Sequence, residues 1–258
     1  MWKGIDVSDN QGTIDWEQVA AAKVSFAILR SVRRSGKADH QFAAYLESCR
    51  KHNIPVSVYK YTYATTQDAA RQEAQQVVEL LRSHHLTGTM VWWDVEDKEV
   101  LQPLGAAKLT ECIRAAQEVI MAAGYSFGLY VGLYVYKERW FDFDTFTGTR
   151  LWVARYYRGY RTMQFADAPD QSYRPSVDRC LTAWQYTSCG EVAGIKGDVD
   201  LNIAYEDPAL WSQPAVEPGV IYTVSVADVW TREQAEVIRE QLAPLGVCSV
   251  VHRVKILE

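Results

Sequence analysis

The sequence predicts an α/β protein: an irregular (β/α) barrel of about eight mainly parallel strands, followed by a small C-terminal βαβ unit. Three observations carry this expectation. Short apolar runs alternate with amphipathic segments of helical period through residues 1–207, the pattern of successive βαβ units. Two of those runs end in acidic residues, as barrel strands do where polar groups gather at their C-terminal ends. Pro208, Pro214 and Pro218 crowd the stretch 208–219, which favours an extended linker before residues 220–258.

Strands are expected at residues 3–8, 24–31, 54–64, 89–96, 127–132, 151–156, 181–187 and 199–203. Between them, residues 38–52 carry Phe42, Tyr45, Leu46 and Cys49 at helical spacing, and Pro55 follows the end. Residues 66–83 open on Thr66-Gln67-Asp68 and repeat Ala70, Ala74, Val77, Val78 and Leu81. Residues 104–123 form a third helix that stops at Gly124. Helices after Gly132 are short, so the later barrel units are degenerate. Beyond the linker, 221–227 reads as a strand, 231–242 as a helix and 247–254 as a strand. A unit this small cannot cover its own apolar faces. It is expected to pack on the barrel or to pair with its counterpart in a second chain, giving a homodimer.

Composition removes several classes of function. With 48% hydrophobic residues among 258, the chain can build a large core, and global disorder is excluded. A net charge of -5, from 27 basic and 32 acidic residues well mixed along the chain, leaves no basic face for nucleic acid. No apolar run approaches the roughly 20 residues of a membrane span. The N-terminus enters a strand at once and has no signal-peptide pattern, so export would use another route or a signal already removed. The five cysteines lack metal-like spacing; Cys180 and Cys189 are close enough to pair, yet free buried thiols are expected. His40, His52, His84, His85 and His252 fall mostly on predicted helices, and neither metal nor cofactor is expected. The 9 Trp and 15 Tyr fill a core and, where they meet carboxylates, suit the C–H faces of sugar rings.

The run Met90-Val91-Trp92-Trp93-Asp94-Val95-Glu96 carries the chemistry. Strand alternation puts Trp92, Asp94 and Glu96 on one face and Trp93 and Val95 on the other. At a separation near 6 Å and an effective dielectric near 20, two such carboxylates repel by roughly 3 kcal/mol, or about two pKa units. One then holds a proton towards neutral pH while the other ionises, which supplies an acid and a stabilising anion. Asp6 ends a similar run, Gly4-Ile5-Asp6-Val7-Ser8. A third acidic strand, Asp198-Val199-Asp200-Leu201-Asn202, puts Asp198 and Asp200 on one face and leaves the choice between them open.

These pieces, with Val58-Tyr59-Lys60-Tyr61, Leu151-Trp152-Val153-Ala154-Arg155-Tyr156 and Trp184-Gln185-Tyr186-Thr187-Ser188, resemble in content and order the family 25 glycoside hydrolases, lysozymes that act as N-acetylmuramidases. The resemblance covers roughly residues 1–206. It implies hydrolysis of the β-1,4 bond between N-acetylmuramic acid and N-acetylglucosamine in peptidoglycan, outside the cell or at the wall. It further implies Glu96 as proton donor, Asp94 and Asp6 as its helpers, and Asp200 in the same site. Tyr59, Tyr61, Tyr63, Tyr130, Trp152, Tyr156, Trp184, Gln185 and Asp198 are the expected substrate-binding residues.

Two segments depart from the family pattern. Arg30-Ser31-Val32-Arg33-Arg34-Ser35-Gly36 lacks the family's Glu, and Lys60 stands where His is usual. Arg30, Arg33 and Lys60 are read either as contacts to the lactyl carboxylate or peptide stem, or as solvated rim residues. Residues 221–246 resemble half of a SPOR-type peptidoglycan-binding domain. The alternative to an enzyme is a non-catalytic glycan-binding barrel, against which the joint presence of Asp6, Asp94 and Glu96 argues. A chitinase is disfavoured by the absence of an Asp-x-x-Asp-x-Asp-x-Glu strand, and a metal amidase by the placement of the histidines.

Overall fold

The computed structural model describes residues 1–212 together with 231, 233, 234, 236 and 237. In chain order its elements are β1 (Trp2–Val7), α1 (Trp16–Ala21), β2 (Phe26–Arg30), α2 (Phe42–Lys51), β3 (Val56–Tyr61), α3 (Gln67–Ser83), β4 (Met90–Asp94), α4 (Ala106–Ala122), β5 (Ser126–Gly132), α5 (Leu133–Glu138), β6 (Arg150–Ala154), β7 (Met163–Gln164), β8 (Leu181–Glu191) and β9 (Val199–Ala204). Strands β1 to β6 follow one another in parallel, β6 pairs with β8, and β9 closes the ring by running antiparallel to both β8 and β1. Eight strands thus form the expected closed barrel, with β7 as a short addition on the extended end of β8. The predicted C-terminal βαβ unit, its SPOR-like character and the homodimer through it lie outside the described residues.

Local chemistry sets the helix limits. Thr66 caps α3 by accepting the Ala69 N–H at 3.2 Å, and the buried stripe Ala70, Ala74, Val77, Val78 and Leu81 turns toward the sheet. Helix α2 begins at Phe42 rather than near residue 38, because Asp39 accepts the Gln41 N–H at 2.9 Å while Ala38 is bridged to Val32. The short α1, not anticipated from periodicity, is nucleated by Asp15, whose carboxylate accepts from the N–H groups of Glu17 and Gln18.

The strands are buried on both faces, as in a barrel wrapped by helices. Outward residues such as Val91, Trp93, Leu129 and Trp184 pack in the layer beneath the helices. Inward residues Phe26, Ile28, Met90, Trp92, Tyr130, Trp152, Ala183 and Ala204 fill the barrel. Gly128 is needed opposite Trp92: a Cβ there would lie 2.5 Å from the indole.

The barrel's packing extends past residue 207. Pro208–Ser212 folds into a 3-10 turn rather than an extended connector, and Trp211, 1% exposed, enters the barrel from the end where β1 begins and β9 finishes. Its ring meets Phe26 at 5.0 Å and Trp92 at 5.3 Å, both edge to face. Among the described residues no helix is long and apolar enough to cross a membrane.

Candidate active site

The opposite end of the barrel gathers the acids. Ile5 and Val7 point outward into the helix-facing core, so alternation turns Asp6 inward at the end of β1. The same rule turns Asp94 inward at the last position of β4. The strand stops there, two residues earlier than the sequence suggests, and Glu96 lies in the irregular segment that follows, where its backbone carbonyl accepts the Tyr134 hydroxyl at 3.0 Å. Because β9 runs antiparallel, Asp200 near its start reaches the same mouth and stands opposite Asp6 in register. Tyr61, Asp94, Tyr130 and Trp152 occupy one register row across β3 to β6.

A chain of buried hydrogen bonds fixes Asp6. Its Oδ2 accepts from Asn202 Nδ2 at 2.7 Å and from Gln185 Nε2 at 2.9 Å. Each amide is oriented from behind. Asn202 Oδ1 accepts the Trp152 indole N–H at 2.9 Å, and Gln185 Oε1 accepts the hydroxyls of Tyr130 at 2.7 Å and Tyr156 at 2.6 Å. With each carbonyl oxygen engaged, the NH2 groups face the carboxylate. Asn202 was not among the expected site residues, although strand alternation from Asp200 would have placed it on the same inward face.

Burial raises all four carboxyl groups. Desolvation lifts Asp6 to about 6, opposed by its two amide donors. Glu96 rises to about 7, by desolvation first and then by the charges of Asp6 and Asp97, while a hydrogen bond with Tyr130 pulls the other way. Asp94, 4% exposed with Oδ1 unpartnered, is driven well above the carboxylate range by burial and by Glu96 and Asp6. Asp200 is raised by burial, Asp6, Glu96 and Asp198. Such a set holds protons near neutrality, the condition a group needs to act as an acid or base there. Among the described residues no His, Cys, Asp or Glu cluster has the form of a metal site.

The remaining expected residues divide. Tyr59, Tyr61, Tyr130, Tyr156 and Gln185 share the mouth with the acids, and Tyr63 leans on Tyr61 at a tilt of 33°, with ring centroids 4.8 Å apart, on the rim. Trp152, 1% exposed, forms the floor beneath them rather than a cleft wall. Trp184 is not in the mouth: it is wholly buried on the outward face of β8, its indole donating to Arg155 O at 3.0 Å, because Gln185 takes the inward position. Asp198 is exposed ahead of β9 and lines a separate cleft of about 490 Å³ with Gln164, Glu191 and Ile195.

The basic residues also separate. Lys60 is 1% exposed on the outer side of β3, donating to Tyr61 O at 2.6 Å and paired with Glu73 of α3 at 3.4 Å, so it is neither a rim residue nor a substrate contact. Arg30 is held by Asp39 at 2.7 Å and by Asp9. Arg33 donates its Nε to Ala38 O at 3.1 Å. Cys49 and Cys112 are free buried thiols as expected; Cys189 is free but only half-buried, and Cys180 is disulfide-bonded, though not to Cys189.

An eight-stranded β/α barrel with raised, interacting carboxyl groups and tyrosines at its mouth is a protein of the glycosidase class in architecture and site. The chain belongs to the glycosyl hydrolases family 25, whose model matches residues 5–195. It is 20% identical over 222 residues to an autolytic lysozyme of Clostridium acetobutylicum, covering 84% of this chain and 60% of that protein. Among solved structures it resembles the modular autolysin LytC of Streptococcus pneumoniae, at 27% identity and a TM-score of 0.64, over 78% of this chain and 46% of that one. The catalytic domain of endolysin ply40 from bacteriophage P40 of Listeria monocytogenes is similar at 26% identity and a TM-score of 0.63, over 79% and 93% of the two chains. The chain therefore spans 60% of the curated relative and about half of the autolysin.

Proposed function

We propose that the chain is an N-acetylmuramidase that hydrolyses the β-1,4 bond between N-acetylmuramic acid and N-acetylglucosamine in peptidoglycan, at the cell wall or outside the cell. The observation that carries this reading is Glu96: a half-buried carboxyl raised to about 7, set in the barrel mouth with Asp6, Asp94 and Asp200. Glu96 donates its proton to the leaving glycosidic oxygen. Asp6, poised by two amide donors near 6, is the group best prepared to carry negative charge beside the oxocarbenium-like centre. Burial, with the charges of Asp6 and Asp97, keeps the Glu96 proton in place, and Asp94 and Asp200, both raised by burial and by Glu96, stay protonated beside it. Tyr61, Tyr63 and Tyr156 supply aromatic faces for the sugar rings. Family membership supports the assignment, as does the autolysin relative, whose structure has been solved in complex with a synthetic peptidoglycan ligand.

Mass spectrometry of reducing ends released from purified peptidoglycan tests it. Muramic-acid ends are expected. Glucosamine ends or peptide cleavage would overturn it, and sacculus binding without any cleavage would favour the non-catalytic glycan-binding barrel.

A further inference from the structure

We propose that Arg34, laid over Tyr63 at the rim between β2 and β3, is a docking point for a carboxylate on the lactyl-peptide arm of the glycan. The inference rests on the muramidase reading and names what else in the substrate is recognised.

The geometry begins with the turn after β2. Val32 bridges Ala38, the Arg33 N–H donates to Lys37 O at 2.9 Å, and the Gly36 N–H donates to Arg33 O at 3.0 Å. Gly36 has a φ of +79°, and a Cβ there would meet the Gln76 side chain of α3 at 2.7 Å. The turn is therefore closed on itself and seated against α3, which fixes where Arg34 leaves the backbone.

Its guanidinium sits 4.2 Å from the centroid of the Tyr63 ring. Tyr63 is itself anchored, its N–H donating to Glu73 Oε1 at 3.2 Å and its ring leaning on Tyr61. Tyr61 pairs in register with Asp94 and reaches Asp97 with its hydroxyl at 3.4 Å. An aromatic path thus runs from the acids to Arg34, along the surface on which a glycan would lie.

Two of the neighbouring cations are committed elsewhere, and Arg33 spends its Nε on Ala38 O. Arg30 is paired with Asp9 and Asp39, and Lys60 is buried against Glu73. Arg34 is exposed and forms no ion pair among the described residues. Its N–H donors take no acceptor among the described residues, and a guanidinium's planar fork matches a carboxylate. The ring also holds the side chain in place, which lowers the ordering cost when that carboxylate arrives. The sugar rings of the glycan are neutral, so its carboxylates reside on the arm: the free lactyl acid, or the acids of an attached peptide.

Three soluble substrates decide the matter: peptide-bearing glycan chains, amidase-stripped chains with free lactyl carboxylates, and stripped chains whose carboxylates are capped as methylamides. KM and equilibrium affinity are measured on each for the wild type and Arg34→Gln, so the affinity arm reads the docking point even if no turnover occurs. Wild type is expected to prefer a charged chain over the capped one by about tenfold to a hundredfold, the scale of one charge-assisted hydrogen-bond pair. Arg34→Gln should lose that preference, and Arg34→Lys should keep part of it. Loss confined to peptide-bearing chains assigns a stem carboxylate, and loss confined to stripped chains assigns the lactyl group. A preference equal in wild type and Arg34→Gln, or none in either, overturns the proposal. Wild-type preference for charged chains without muramic-acid reducing ends would overturn the muramidase reading alone.

Discussion

Asp6 on β1 and Asp200 on β9 face each other in antiparallel register inside the barrel, two carboxyl groups directly opposite at the mouth. Like charges in that relationship destabilise a sheet, and here both groups are also removed from water. Raised values in the folded state mean that folding favours the protonated forms. Below the unfolded carboxylate range near 4, that contribution to stability is fully present. It is lost as pH climbs through about 6 for Asp6 and about 7 for Glu96. Asp9, held low by His40 and Arg30 against its desolvation, acts in the opposite sense, but only as pH falls below the ordinary carboxylate range. The melting temperature should therefore fall between pH 4.5 and pH 7.5, and Asp200→Asn should flatten that decline. A wild-type melting temperature that rises across this window would contradict the assignment.

Glu96→Gln keeps the shape of the side chain and removes its transferable proton. Lytic activity should fall to below about a tenth of wild type, while the melting temperature at neutral pH stays level or rises because a half-buried ionisable group is gone. In the wild type, the alkaline limb of the pH–rate profile should lie near the value of about 7 that burial gives Glu96. Residual activity above about a tenth would move the acid role to another carboxyl group.

Trp152 serves the site through Asn202. Replacing it with Phe keeps an aromatic floor but removes the indole N–H that holds Asn202 Oδ1 at 2.9 Å. The amide is then free to turn its oxygen toward Asp6, and the carboxylate loses a donor worth roughly 1.5 to 3 kcal/mol. Asp6 should titrate above its present value of about 6, and activity at pH 5.5 should drop further than activity at pH 7. Carbon-detected titration of the Asp6 carboxyl reads this directly. An unchanged titration with lowered activity would reduce Trp152 to a packing residue.

Much of this arrangement was legible in the sequence, and the errors have separate causes. Alternation within each strand was readable, so Asp94 and Trp92 share a face as expected. The absolute phase of a strand was not, because barrel strands are buried on both sides and offer no polar face to set it. Trp184 and Gln185 were both expected in the site, yet neighbours on one strand cannot share a face, and only Gln185 points inward. Lys60 failed for a different reason. Its partner Glu73 lies on α3, and a buried ion pair formed through tertiary packing leaves no local mark at either residue. Proline count misled at 208–212, where one tryptophan ring outweighs the preference for an extended connector.

That tryptophan sets the last prediction. Trp211 closes the end of the barrel remote from the acids, wedged edge-on between Phe26 and Trp92 and 1% exposed. Trp211→Ala should cost about 3 to 5 kcal/mol, since it removes a large ring from a filled interior. The folded fraction should still cleave at close to the wild-type rate, because the change lies below the Trp92 and Trp152 layer that supports the mouth. Truncation separates the same contribution from anything that follows it. A chain ending at residue 213 keeps the plug, and hydrolysis of short soluble glycans should stay nearly intact. A chain ending at residue 207 removes it and should melt lower, by about as much as Trp211→Ala. Melting curves and initial rates on the two truncations decide the point: equal stability for both would mean that the barrel holds its shape without the plug.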